Sequence, residues 1–174
     1  MPITINGSGT VTGLSAGGLP DGSITTDDLA ANAVTAAKLA AGAGGKILQV
    51  VSAVVTTRQD LTTTTPTSRV SLSLTPASSS NKVLLFYHQG DCLTDSRISS
   101  AFYRNGSSIR TFTTEIGRGA TNVWMMVSGM YLDSPSTTSA ITYAVYHWNY
   151  AGTGTASIGD SSMPGVLTAM EVAA

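Results

Sequence analysis

The spacing of apolar positions changes near residue 46. Before it they are isolated: Ile3, Ile5, Val11 and Leu14 punctuate a leader of Gly, Ser and Thr, and then one phrase occurs twice in succession, DGSITTDDLA followed by ANAVTAAKLA. The copies align Ile24 with Val34, Thr25 with Thr35, Leu29 with Leu39 and Ala30 with Ala40, with Gly22 and Asn32 at matching turn positions. Thr25 or Thr35 can cap a short helical turn ending in Leu-Ala, and Thr25 with Asp28 resembles a capping box. A single helix from Thr26 to Ala41, stopped at Gly42, is the other arrangement these residues allow. Either is marginal alone. Copies set side by side around an axis would bury Ile24, Leu29, Val34 and Leu39 together, so the repeat is expected to be an oligomer's stalk. AAGAGGK, residues 40–46, has little side chain to pack and reads as a linker.

Beyond Lys46, β-branched and aromatic runs alternate with turn clusters, the pattern of an antiparallel all-β domain. Strands are expected over Ile47 to Thr57, Arg69 to Leu74, Lys82 to Gln89, Ile98 to Arg104, Ser108 to Thr114, Asn122 to Leu132, Ala140 to Tyr150 and Val166 to Val172. That number in this length suggests a two-sheet sandwich or jelly roll. Asn105-Gly106, between alternating segments, marks a hairpin turn. Two strands are apolar on both faces. Val123, Met125 and Val127 oppose Trp124, Met126, Met130 and Leu132, while Ile141, Tyr143 and Val145 oppose Ala144, Tyr146, Trp148 and Tyr150. A solvated antiparallel sheet shows polar residues outside, so Trp124, Met126, Tyr146 and Trp148 are expected at a subunit interface. A larger intrachain core is the alternative.

The chain divides into an arm (1–20), a stalk and linker (21–45) and a β-sandwich knob (46–174). With 174 residues, 42% of them hydrophobic, there is material for one core. A net charge of -1 with 11% charged residues leaves no basic surface for nucleic acid or anionic lipid. Runs such as VLLFY and VWMMV fall far short of a bilayer span, and MPITINGSGT has neither the basic nor the apolar region of a secretory signal. No membrane insertion is therefore expected, and Asn6-Gly7-Ser8 and Asn105-Gly106-Ser107 read as turns rather than glycosylation sites. Cys92, the single cysteine, is either a small buried hydrophobe or an interchain thiol.

Catalytic chemistry finds little support. Gly13-Leu14-Ser15-Ala16-Gly17 matches a nucleophile-elbow pattern but lacks the strand and helix that such an elbow needs. His88 and Cys92 are four residues apart, with only His147 as a further imidazole, short of the ligands zinc requires. Gly152-Thr153-Gly154 has no phosphate-loop context. Asp91, Asp95, Glu115, Asp160 and Glu171 are scattered without the paired placement of glycoside hydrolysis, although carboxylates from different chains could converge. No metal or cofactor is expected. Binding, if it occurs, is expected at distal loops, 91–97, 114–120 and 151–162, which carry Asp91, Asp95, Arg97, Glu115, Arg118 and Asp160, together with the adjoining Tyr150.

GGLPDGSITTDDLA with NAVTAAKLA resembles the stalk repeats near the N-termini of tailed-bacteriophage fibre and virion-associated proteins. YRNGSSIR, SGMYLDSPSTTSAITYAVY and the closing LTAMEV look like the knobs that follow such stalks, similar to trimeric jelly rolls of the tumour-necrosis-factor and complement type. The resemblance implies a homotrimeric virion protein, made in the host cytoplasm. Its N-terminal arm (Ile3, Ile5, Val11, Leu14) would attach to another virion protein, and its C-terminal domain would face a host glycan or protein. A capsid decoration, head-fibre or tail component without receptor binding is the alternative, because the stalk is short. A polysaccharide depolymerase is the third class.

Overall fold

The computed structural model describes residues 4–5, 11–12, 24–31, 33–35, 38, 46–94, 96–117, 123–159 and 162–174, with backbone alone at 4, 5, 11, 12, 91, 93 and 94. The chain forms two compact units, Met1–Gly44 and Gly45–Ala174.

In the first unit, β1 (Thr4–Ile5) pairs antiparallel with β2 (Val11–Thr12). The decads form separate short turns rather than a continuous helix. A 3₁₀ turn covers Thr26–Asp28 between extended Thr25 and extended Leu29. The Asp28 carboxylate accepts from the Thr25 backbone N–H at 2.9 Å, so the N3 side chain of the expected capping box is in place. The backbone N–H of Asp28 donates to Thr25 O, and ten residues on that of Lys38 donates to Thr35 O. The repeated sequence thus repeats its backbone closure.

The second unit is an all-β antiparallel sandwich. Its strands are β3 (Ile47–Val55), β4 (Gln59–Leu61), β5 (Thr67–Leu74), β6 (Lys82–Thr94), β7 (Ile98–Arg104), β8 (Ser107–Ile116), β9 (Val123–Asp133), β10 (Ile141–Asn149), β11 (Ala156–Ile158) and β12 (Gly165–Val172). One sheet runs β5-β10-β7-β8. The other runs β3-β12-β6, with β9 on the far side of β6 and the short β11 and β4 beside the far end of β6. Eight long strands in two four-stranded groups make the jelly roll expected from the sequence.

Alternation decides the core. Val83, Leu85 and Tyr87 from β6, Leu167 and Ala169 from β12 and Val127 from β9 meet Val70, Leu72 and Leu74 from β5, Phe102 from β7, and Ile141, Tyr143 and Val145 from β10. Asn105 and Gly106 both take positive φ, 48° and 81°, and close the β7–β8 hairpin as a primed turn. Phe112 of β8 lies against Gly129 of β9, where a Cβ would stand 2.5 Å from the ring, so glycine lets one sheet approach the other.

Several strand ends shift by one or two residues and the short β4 is not among the expected strands, and three differences bear on the candidate site. β6 runs on through Thr94 because one extra residue is accommodated at Gly90–Asp91. Gln89 faces Val127 whereas Cys92 faces Met125, and this bulge reverses the alternation and turns Cys92 into the core. β8 continues to Ile116, and buried β11 interrupts the segment after Tyr150.

Candidate functional site

The two sheets present outer faces of different chemistry. On the β3-β12-β6-β9 face, the register aligns three rows of side chains across the strands. They are Val50–Met170–Leu84–Leu132, Ser52–Thr168–Phe86–Met130 and Val54–Val166–His88–Ser128. No acidic or permanently charged side chain stands in these rows. Val54, Met130 and, further along β9, Trp124 and Met126 are 57–68% exposed. A cavity of about 410 Å³ lined by Trp124, Met125, Met126 and Met163 lies at the same end of β9. Val50, Val54, Phe86, Trp124, Met126, Met130 and Leu132 together expose on the order of 700 Å², close to the ~800 Å² that one partner contributes to a standard interface. A monomeric soluble domain seldom carries an apolar patch of that size.

The β5-β10-β7-β8 face is aromatic and hydroxylated. Tyr103 stands opposite Ala144, Tyr146 opposite Ala101 and Trp148 opposite Ser99. Ala101 and Ser99 are fully buried and Ala144 is 7% exposed, although they point away from the core, because the aromatic side chains cover them. The Tyr103 and Tyr146 rings stack with centroids 4.0 Å apart. Exposed Ser68, Ser71 and Ser73 line the β5 side and Ser108 and Thr111 the β8 side.

Trp124, Met126, Tyr146 and Trp148, expected at a subunit interface, do not share one face of the knob. The first two belong to β9 and the others to β10, in different sheets and on opposite outer faces. Strand alternation shows that a strand has two apolar faces, but not which sheet it joins.

Of the candidate binding residues, Arg97, Glu115 and Tyr150 come together at one end of the sandwich. Arg97 Nη1 lies 3.3 Å from Glu115 Oε2, and the Tyr150 N–H donates to Arg97 O at 2.7 Å. Glu115 lies in β8, with positive φ of 53°, not in a loop. Asp91 likewise lies in β6, so 91–94 is strand rather than loop. Asp95, Arg118 and Asp160 lie outside the described residues, as do Ile3, Leu14 and Leu39, and the side chains of Ile5, Val11 and Asp91. In the decads, Ile24, Leu29 and Val34 are 56%, 47% and 51% exposed.

A serine–histidine pair that sequence reading missed lies in the interior. Ser100 Oγ is 2.7 Å from His147 Nδ1, and His147 Nε2 is 3.0 Å from Tyr87 Oη, whose hydroxyl donates to Gln89 Oε1 at 3.3 Å. A neutral imidazole protonated at Nε2 satisfies every contact. Burial and the nearby Arg69 charge push the His147 pKa down to about 3, and burial pushes Tyr87 up. His147 and Ser100 are completely buried and Tyr87 nearly so, so no substrate reaches this pair. His88 lies on the outer face and Cys92 in the core, hence not on one metal-binding surface. Among the described residues no cluster could hold a metal, and no helix is long and apolar enough to cross a membrane.

No protein-family model matches the chain, and no curated protein matches it. Among solved structures, the infectious bursal disease virus VP2 subviral particle is similar at 10% identity and a TM-score of 0.43, over 72% of this chain. The match spans 37% of that chain. A likeness of this degree carries no functional argument.

Proposed function

We propose that the chain is a non-enzymatic structural protein of a bacteriophage virion. In this reading it is a homotrimer, attached to the particle through its N-terminal arm and presenting the jelly roll to the host surface. The observation that carries the assembly is the uncharged apolar face of β3, β12, β6 and β9, whose exposed area matches one side of a standard interface. Exposed Ile24, Leu29 and Val34 support it independently, since copies set side by side would bury them together. The enclosed Ser100–His147 pair supports a non-enzymatic role.

The arm is too poor in apolar side chains to close a core, which suits a segment that orders against a second virion protein. Adding a chain that lacks residues 1–43 to particles devoid of the protein tests this. Failure to incorporate, with trimers retained, supports attachment through the arm. Incorporation at normal occupancy overturns it.

A further inference from the structure

The outer face of the β5-β10-β7-β8 sheet is unlike the aliphatic face opposite, and its chemistry is that of a recognition surface. Tyr and Trp offer rigid amphipathic area at low entropic cost, while Ser and Thr add adaptable hydrogen bonds. Tyr103, Tyr146 and Trp148 follow one another in successive rows of the β7–β10 pair, spanning roughly 14 Å at the rise of an extended strand. Ala144, Ala101 and Ser99, their cross-strand partners, are buried beside them. Tyr103 Oη, Tyr146 Oη and Trp148 Nε1 make no hydrogen bond to another described residue, and all three side chains remain partly exposed. Hydroxyls flank the ladder on both sides: Ser71 is opposite Ala144, Ser73 opposite Thr142, and Ser108 opposite Tyr103.

We propose that this aromatic ladder binds an uncharged pyranose oligosaccharide, lying along β10. A pyranose has C–H groups of slight positive polarity on its faces and hydroxyls around its rim. The former suit the electron-rich aromatic rings and the latter the Ser, Thr, Tyr and Trp polar atoms. Arg110 is exposed on β8 between Ser108 and Thr111, two strands from β10. Along β10 and β5, where the sugar would lie, the outward side chains Thr142, Ala144, Tyr146, Trp148, Ser68, Ser71 and Ser73 are uncharged, so a neutral sugar fits better there than an acidic one or a charged peptide. The proposal rests on the reading of the knob as host-facing, and it moves recognition from the distal loops to a sheet face. It needs no residue of the aliphatic face.

The test is binding of the full-length protein to an immobilised panel of neutral gluco-, galacto-, manno- and rhamno-configured oligosaccharides. Alongside it, competition by the same protein for adsorption of particles that carry it is measured. Wild type is expected to bind at least one member. Tyr146→Ala is expected to weaken binding about tenfold, the loss of one aromatic contact. Tyr146→Phe, which keeps the ring, retains most of it. Ser71→Lys, at an exposed position of β5, crowds the ladder without altering the core and is expected to weaken binding similarly while circular dichroism stays unchanged. Binding to no member, or equal binding by folded Ser71→Lys and wild type, overturns the proposal. If the protein still blocks adsorption in that case, the host-facing reading survives with a protein receptor; if it does not, that reading falls too.

Discussion

Tyr87 Oη and His147 Nε2 meet 3.0 Å apart across the interior, one from each sheet. Their contact ties the sheets at a point where the core is polar, with Ser100, Gln89 and Arg69 around it.

Burial of His147, with the charge of Arg69 nearby, makes stability depend on acidity. His147 is held neutral in the fold, with its pKa down at about 3, while the unfolded chain takes up a proton near 6.5. Below about pH 6.5 the unfolded state therefore binds more protons, and stability falls with a limiting slope of about 1.4 kcal/mol per pH unit until pH approaches 3. Urea melts between pH 7 and pH 4 should show this decline, and His147→Gln should flatten it. An equal slope in the variant would assign the decline elsewhere.

A second acid-sensitive group is Glu171. Burial alone would raise its carboxyl, but hydrogen bonds from Asn81 Nδ2, Gln49 Nε2 and the backbone N–H groups of Ala77 and Ser78 hold it below the ordinary range. Its contribution is present above the unfolded carboxyl pKa and is lost as pH falls through the lower folded value. Glu171→Gln should cost on the order of 2 kcal/mol at neutral pH, because it substitutes a neutral amide for an acceptor of several donors. A midpoint unchanged from wild type would contradict the assignment.

Gly129 and Phe112 set the approach of β9 to β8. Gly129→Ala places a methyl group against the ring and should destabilise the knob by about 1–3 kcal/mol, the cost of overpacking. Gly129→Ala combined with Phe112→Leu should recover part of the loss. Failure of the pair to recover anything would show that the glycine serves a different purpose.

Asp133 joins another pair of elements. It accepts from Arg104 Nη1 at 2.9 Å and from Tyr143 Oη at 2.7 Å, and it is 4% exposed. Arg104→Ala leaves this carboxylate buried without its cation and should cost about 3–5 kcal/mol, readable as a drop in the urea midpoint. A loss below 1 kcal/mol would show that Tyr143 alone satisfies it.

Much of this fold was legible because strand alternation is a local property. Each long strand of the sandwich announces itself by apolar residues two apart, and Asn105-Gly106 announces its hairpin by the need for positive φ. Features set by pairing were not legible. β4 and β11 are three residues each, too short for alternation to register. The extra residue at Gly90–Asp91 turns Cys92 inward only because β9 continues without one. Ser100 and His147 are 47 residues apart in sequence, and their 2.7 Å contact exists only through the β7–β10 register. The same limit applies to the surfaces: Trp124 and Trp148 look alike as strand residues, and only sheet order separates the aliphatic face from the aromatic one.

That separation gives the account its most direct test, the native mass of the full chain and of two tryptophan variants. Wild type should have three times the 17.8 kDa chain mass at micromolar concentration. Trp124→Ala, on the aliphatic face, should weaken assembly by about thirtyfold, corresponding to ~2 kcal/mol. Trp148→Ala, on the aromatic face, should leave the mass of folded protein unchanged. A stable wild-type monomer, or loss of trimers in Trp148→Ala with full retention in Trp124→Ala, would contradict assembly through the β3-β12-β6-β9 face.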